Sequence, residues 1–177
     1  MDIQYIIDRA KGIIVSPKDE WQAIKGESKS NKELIVFYAL PLVVLATLAG
    51  LIGHWSLNIA VYQLVMPLLG IVVAAYVANE LAEKFNSTKN LNNAFKLVVY
   101  AATPSFLASV IANLSFLLSW VSLFGLYSIY LFWVGIPVMM ETPDDKRLAY
   151  VIVCALVVIV VQLIVSALFA PPMAGIY

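Results

Sequence analysis

Residues 97–140, LVVYAATPSFLASVIANLSFLLSWVSLFGLYSIYLFWVGIPVMM, contain no charged residue. A run this long and this apolar is not the core of a water-soluble domain; lipid must be its solvent. How many times it crosses the bilayer decides the fold. At about 20 residues per crossing it holds two helices, and Asn113 with Ser115 is its most polar point, where a turn fits. The expected helices run from about Ala94 to Ala112 and from about Phe116 to Met140.

The rest of the chain divides in the same way. A first span is expected from about Leu34 to Gly53 and a second from about Leu57 to Asn79, joined by a turn at His54, Trp55 and Ser56. Residues Glu80 to Asn93 carry Glu80, Glu83, Lys84 and Lys89 with Asn, Ser and Thr, too polar for hydrocarbon, and form a hinge at the interface. A last span is expected from about Leu148 to Phe169, stopped by Pro171 and Pro172. The fold class is therefore all-α: a polytopic bundle of five transmembrane spans over residues 34–177, preceded by an arm over residues 1–33.

Charge fixes the expected orientation. With the N-terminus inside, the inner segments hold Arg9, Lys11, Lys18, Lys25, Lys29 and Lys32, then Lys84, Lys89 and Lys96, then Lys146 and Arg147, and the outer turns and tail hold no basic residue. A single helix over residues 97–140 would throw Lys146 and Arg147 to the outer side. The expectation is N-in and C-out.

Composition excludes several classes. Hydrophobic residues make up 62% and charged residues 12% of the 177 residues, and the mean hydropathy is +0.90, outside the globular range. The net charge is +0, so there is no basic field for nucleic acid. The one cysteine, Cys154, lies in an apolar run as a small hydrophobe. His54 is the only histidine, and no cluster with metal-ligand spacing, no nucleophile beside a base and no glycine-rich phosphate loop is present. The expectation is a protein without catalytic, cofactor or metal residues.

The arm does not read as a signal peptide, because charges alternate with its hydrophobes. Ile3, Ile6, Ile7, Ala10, Ile13 and Ile14 recur at helical spacing, which predicts an amphipathic helix in the interface plane. Ser16-Pro17-Lys18-Asp19 predicts an N-cap with proline at the first helical position, leading to Trp21 as a headgroup-level anchor. Six acidic residues match the six basic ones, so the arm is no polybasic switch.

Inside the bundle, Gly70, Ala74 and Ala78 on the second span form a stripe of small residues. Ala101, Ser105, Ser109 and Asn113 form another on the third, and Gln162, Ser166 and Ala170 one on the fifth; the stripes are expected to face one another. Pro41, Pro67, Pro104 and Pro137 place a kink in each of the first four spans, with Thr103 and Ser105 beside Pro104 to repair its backbone. Tyr38-Ala39-Leu40-Pro41 is faintly echoed by Tyr100-Ala101-Ala102-Thr103-Pro104, with a mismatch of one residue that common residue types produce by chance. Broken helices suit transporters, but no charged residue lies at mid-depth in these spans. The segment Glu141 to Arg147 predicts a turn capping the last helix.

Arg9-Ala10-Lys11-Gly12-Ile13-Ile14, then Ser16-Pro17-Lys18-Asp19-Glu20-Trp21-Gln22-Ala23-Ile24, then five spans, resembles the short prokaryotic members of the Yip1 domain family. Tyr100 to Pro104 is similar to that family's Tyr/Pro-bearing helix, and Gly125 to Tyr130 with Gly135 and Thr142-Pro143 resembles its fourth helix and following loop. Eukaryotic relatives are five-span proteins of early secretory and Golgi membranes. They associate with Rab-type GTPases and with one another in vesicle trafficking or membrane shaping. The long cytosolic N-terminal region of those relatives and their Asp-Leu-Tyr-Gly-Pro element are expected to be missing here.

The expected function is that of a non-enzymatic membrane-organising or interaction protein; the alternative is a small-solute or lipid transporter or channel working through the kinked helices. Expected partners are the lipid bilayer, a membrane or cytoplasmic protein, and a second copy of the chain. Candidate interaction or structural residues are Pro17, Trp21, Tyr100, Pro104, Asn113, Gly125, Tyr127, Gly135, Pro143, Asp144, Asp145, Lys146 and Arg147.

Overall fold

The computed structural model describes residues 3–54 and 57–169. The expected turn at Trp55 and Ser56 and the stop at Pro171 and Pro172 lie outside the described residues, as does Ala170. Two short helices, α1 (Ile3–Val15) and α2 (Pro17–Lys25), precede five that are long and apolar enough to cross a membrane. These are α3 (Asn31–Ile52), α4 (Leu57–Phe85), α5 (Leu91–Ala112), α6 (Phe116–Met139) and α7 (Asp144–Ala167). The run at 97–140 does cross twice, turning between Ala112 and Phe116.

Side-chain chemistry sets the ends. α3 opens three residues before the expected Leu34, because Ser30 and Glu33 make a capping box: the Ser30 hydroxyl accepts from the Glu33 amide at 3.3 Å, and the Glu33 carboxylate accepts from the Ser30 amide at 2.9 Å. Asn90 caps α5 by accepting from the Asn93 amide at 3.0 Å. Ser16 stands at the N-cap of α2 with Pro17 behind it, but its side chain makes no capping bond there. α7 begins at Asp144, so Asp144 to Arg147 form its first turn rather than a preceding loop, with two carboxylates at the positive end of the helix.

The prolines act unequally. A π-helical segment, Ile35–Ala39, precedes Pro41, and α5 is interrupted at Ala102, where Pro104 has no amide to donate. Pro67 and Pro137 lie inside continuous α-helix. The first half of α6, Phe116–Leu126, is wound as a 3-10 helix and becomes α-helical at Tyr127. Packed antiparallel on the second half of α5, it leaves Phe116, Leu117, Trp120 and Leu123 exposed to what must be lipid.

α5 is the axis of the molecule: Ala94 to Ala101 are buried without interruption, and α5 touches α1, α2, α3, α4 and α6. α2 packs on α6 and α5, and α1 on α2 and α5. Ile6, Ala10 and Ile13 turn inward, while Ile3 and Ile7 of the same stripe face out.

Candidate functional site

Trp21, expected as an anchor at headgroup level, is 0% exposed and wedged against Gly135 of α6 and Leu97 of α5, so its neighbours are protein side chains. α2 packs closely on α6 there because Gly135 lacks a side chain.

Beside Trp21 a polar cluster ties the arm to α5. Tyr100 Oη donates to Glu27 Oε2 at 2.8 Å and lies 2.6 Å from Tyr5 Oη, which in turn donates to Glu27 Oε1 at 2.9 Å. The Arg9 guanidinium bridges Glu20 and Glu27, at 2.5 Å each. All three charged side chains are under one-fifth exposed, so removing one partner strands a poorly solvated charge. Burial works to lower the Arg9 pKa, but hydrogen bonds to Glu20 and Tyr5 and the charges of Glu27 and Glu20 outweigh it and hold the pKa above its ordinary value. Lys96, 2% exposed, donates to the carbonyl oxygens of Glu27 at 2.5 Å and Lys25 at 3.5 Å, covering the negative end of α2. Lys29 stands 3.2 Å over the Tyr5 ring.

The sequence reading singled out Tyr100 here and missed Tyr5, Arg9, Glu20, Glu27 and Lys96 as partners. The missed signal is local: Arg9 and Lys96 stand among inward-facing apolar positions of their own helices, at Ala10 and at Phe95 and Leu97.

A second polar layer forms a rim. Glu141 is held left-handed at φ 54° and accepts from Lys25 at 2.9 Å and Thr88 at 2.7 Å. The Lys25 bond, followed by that from Thr88 and the Lys25 charge, holds the Glu141 carboxyl below its ordinary pKa. Thr142 accepts from Ser87 at 2.9 Å, and Lys89 pairs with Glu80 at 2.7 Å. Pro143 is half-buried, and Asp144, Asp145 and Lys146 are exposed. Arg147 is committed elsewhere: it donates to the Trp133 carbonyl through Nε at 2.8 Å and lies 4.3 Å over that indole. Even so, Arg147 lies 3.9 Å from Asp144, and Lys146 lies 3.7 Å from Asp145, so the four pair along the first turn of α7 while only Arg147 turns inward.

The remaining candidates tie helices together. Tyr127 donates to the carbonyl of Ile14 at 3.0 Å, and Asn113 to that of Ala46 at 3.1 Å, fastening α6 to the arm and α5 to α3. Thr103 and Ser105 were expected to repair the break before Pro104; they reach across helices instead, Thr103 to Tyr38 at 2.9 Å and Ser105 to Ser128 at 2.8 Å and the Gly125 carbonyl at 3.3 Å. Pro104 is buried, Pro17 and Gly125 half-buried. Gln162 of α7 does meet Gly70 of α4, but Ser109 bonds its own helix at Ser105 and Asn113 turns to α3, so the third stripe only partly joins the other two. A cavity of about 200 Å³ lies between α4, α5, α6 and α7, walled by Ala74, Ala101, Phe132 and Cys154. Among the described residues no group of His, Cys, Asp and Glu is placed to hold a metal.

Five lipid-length helices and a polar layer at one end define a multi-pass α-helical membrane protein in contact with the lipid bilayer. The chain belongs to the Yip1 domain family, whose model matches residues 11–166, from the middle of α1 nearly to the end of α7. No curated protein and no solved structure matches it.

Proposed function

We propose that this chain is a non-enzymatic membrane-organising or interaction protein, working from the rim and the arm rather than from a substrate pathway. In this reading it lies in the cell membrane of a prokaryote, N-in and C-out, with arm (residues 1–33) and spans (residues 34–177) as its two parts. The orientation is supported by the basic residues of the arm, of Glu80 to Lys96, and of Lys146 with Arg147 being gathered toward one end of the spans. The observation that carries the reading is the division of labour at that end. Arg9, Glu20, Glu27, Lys96 and Arg147 are consumed in holding the molecule together, whereas Glu83, Lys84, Asp144, Asp145 and Lys146 remain exposed on the rim. A protein partner or a second copy meets those.

Crosslinking in the native membrane, followed by purification of the tagged protein in a detergent-free lipid particle, tests this. A protein recovered at near-stoichiometric amount, and lost on reversing Asp144, Asp145 and Lys146 with Arg147 left in place, is the expected result. Unchanged recovery from that variant removes the α7 rim from the reading. A preparation holding no second protein and no second copy overturns it.

A further inference from the structure

Two independent rulers place the arm at the same depth. Lys25 reaches Glu141 at the rim end of α6, and Trp21, one turn below it on α2, lies against Gly135 and Leu97, so α2 runs down beside α6 and α5. From Trp21 back to Pro17, α2 descends about 6 Å, and from Leu97 to Ala101 α5 also descends about 6 Å, at about 1.5 Å per residue, with the arm's turn deeper still. Ile14 lies where this predicts: it shares a cavity wall with Pro104, Leu107, Ala108 and Tyr127, and its carbonyl accepts from the Tyr127 hydroxyl at 3.0 Å. Tyr127 itself is about 18 Å along α6 from Met139, in a hydrocarbon layer about 30 Å thick. α1 runs down from Tyr5 at the polar cluster to Val15, and α2 climbs back to the rim.

The outward face of this hairpin carries charges among apolar residues such as Ile7 and Val15. Lys11, Lys18 and Asp19 are exposed beside spans that are apolar at the same level. Lysines can extend upward to the headgroups, but Asp19 has too short a side chain to do so. Ionised groups at that depth are tolerated where water and headgroups are drawn in and the bilayer thins.

We propose that α1 and α2 form a re-entrant hairpin reaching roughly the middle of the bilayer, whose charged outer face holds a notch of water and phospholipid headgroups in the leaflet on the rim side. The notch lies on the arm side only; the opposite face, where α7 exposes Ile152, Leu156 and Ile159, meets lipid of ordinary thickness. The molecule is thereby an asymmetric wedge in its bilayer. This goes beyond the proposed function and holds whether or not a protein docks on the rim.

The test is site-directed spin labelling of the full chain in phosphatidylcholine vesicles, on a Cys154→Ser background, with single cysteines Val15→Cys, Lys18→Cys, Glu83→Cys and Leu156→Cys. All four positions are exposed, so the labels leave the packing alone, and the label at Lys18 leaves its neighbour Asp19 in place. Glu83 marks the rim, and Leu156 marks bare lipid about 13 Å along α7 from Arg147. The expected result is that Val15 reports a hydrocarbon depth like that of Leu156, with ready access to oxygen, while the label at Lys18 meets a water-soluble nickel chelate several-fold more often than that at Leu156 does. Val15 at the depth of Glu83 means a surface-lying arm and overturns the proposal. So does a label at Lys18 as shielded from the chelate as that at Leu156, because the hairpin then carries no water with it.

Discussion

The indole of Trp21 fills the space that Gly135 leaves open: a β-carbon at Gly135 would stand 2.5 Å from Trp21 Cε2 and 2.8 Å from Leu97 Cδ1. Neither neighbour can step aside, since both are fully buried. Gly135→Ala is therefore expected to push α2 off α6 at a cost of about 1–3 kcal/mol. Trp21→Ala leaves a cavity instead and costs about 3–5 kcal/mol. Thermal unfolding in lipid nanodiscs reads both, and faster tryptic cleavage at Lys18 and Lys25 shows that the arm is the part released. Since Trp21 Nε1 is buried without a hydrogen-bond partner among the described residues, Trp21→Phe is expected to be much milder than Trp21→Ala.

Tyr100→Phe removes one hydroxyl that serves both Glu27 and Tyr5. A loss of about 1–3 kcal/mol is expected, the range for a bond to a charged acceptor. Arg9→Met leaves Glu20 and Glu27 half-buried without their counter-ion, with an expected loss of about 3–5 kcal/mol. A double-mutant cycle between the two is expected to be non-additive, since both act on Glu27; additive losses would mean that Tyr100 and Arg9 hold the arm separately.

Glu141 makes the rim sensitive to acid. Its folded pKa is depressed, chiefly by the Lys25 hydrogen bond, so its contribution to stability is present above the ordinary carboxylate range, about 4.3, and is lost as pH falls through the lowered folded value. The stability gap between the native chain and Glu141→Gln is expected to be constant from pH 7 to about pH 5 and to shrink below about pH 4. A gap unchanged at low pH would place the effect outside the carboxylate's charge.

The same residue separates backbone from side chain. At φ 54° a non-glycine residue is disfavoured by about 1 kcal/mol. Glu141→Gly and Glu141→Ala lose the same carboxylate, so the glycine variant is expected to melt higher than the alanine variant; equal melting would mean the loop relaxes out of the left-handed region.

Arg147→Lys keeps the charge and loses the planar group stacked on Trp133, along with the paired donors to its carbonyl. It is expected to destabilise the α6–α7 junction by about 1–2 kcal/mol. Reversing Asp144 and Asp145 on their exposed face is expected to shift unfolding far less. Equal shifts would show that Arg147 acts as a rim charge.

Tyr38 and Tyr100 mark how far a motif in one sequence reaches. The faint echo between Tyr38–Pro41 and Tyr100–Pro104 rests on common residue types and carries little weight alone. In the fold the two rings meet edge to face at 4.7 Å, each on a helix interrupted just before its proline. Contact across 62 positions is not written in either segment, because each tyrosine looks locally like any half-polar residue in an apolar helix.

What the sequence by itself determined is whatever lipid enforces residue by residue. The five spans follow from the length of uncharged chain that a bilayer demands, the turn at Asn113 and Ser115 from the need to bring polar groups out, and the membership in the Yip1 family from the sequence over residues 11–166. Only the tertiary structure decided where the arm goes. Amphipathic periodicity shows that a helix has an apolar face and is silent about whether lipid or protein covers it. Here protein covers Ile6, Ala10, Ile13, Trp21 and Ile24, because Gly135 opens a slot for Trp21 and because Arg9, Glu27, Tyr100 and Lys96, far apart in the chain, satisfy one another's charges and hydrogen bonds once the arm packs on α5 and α6.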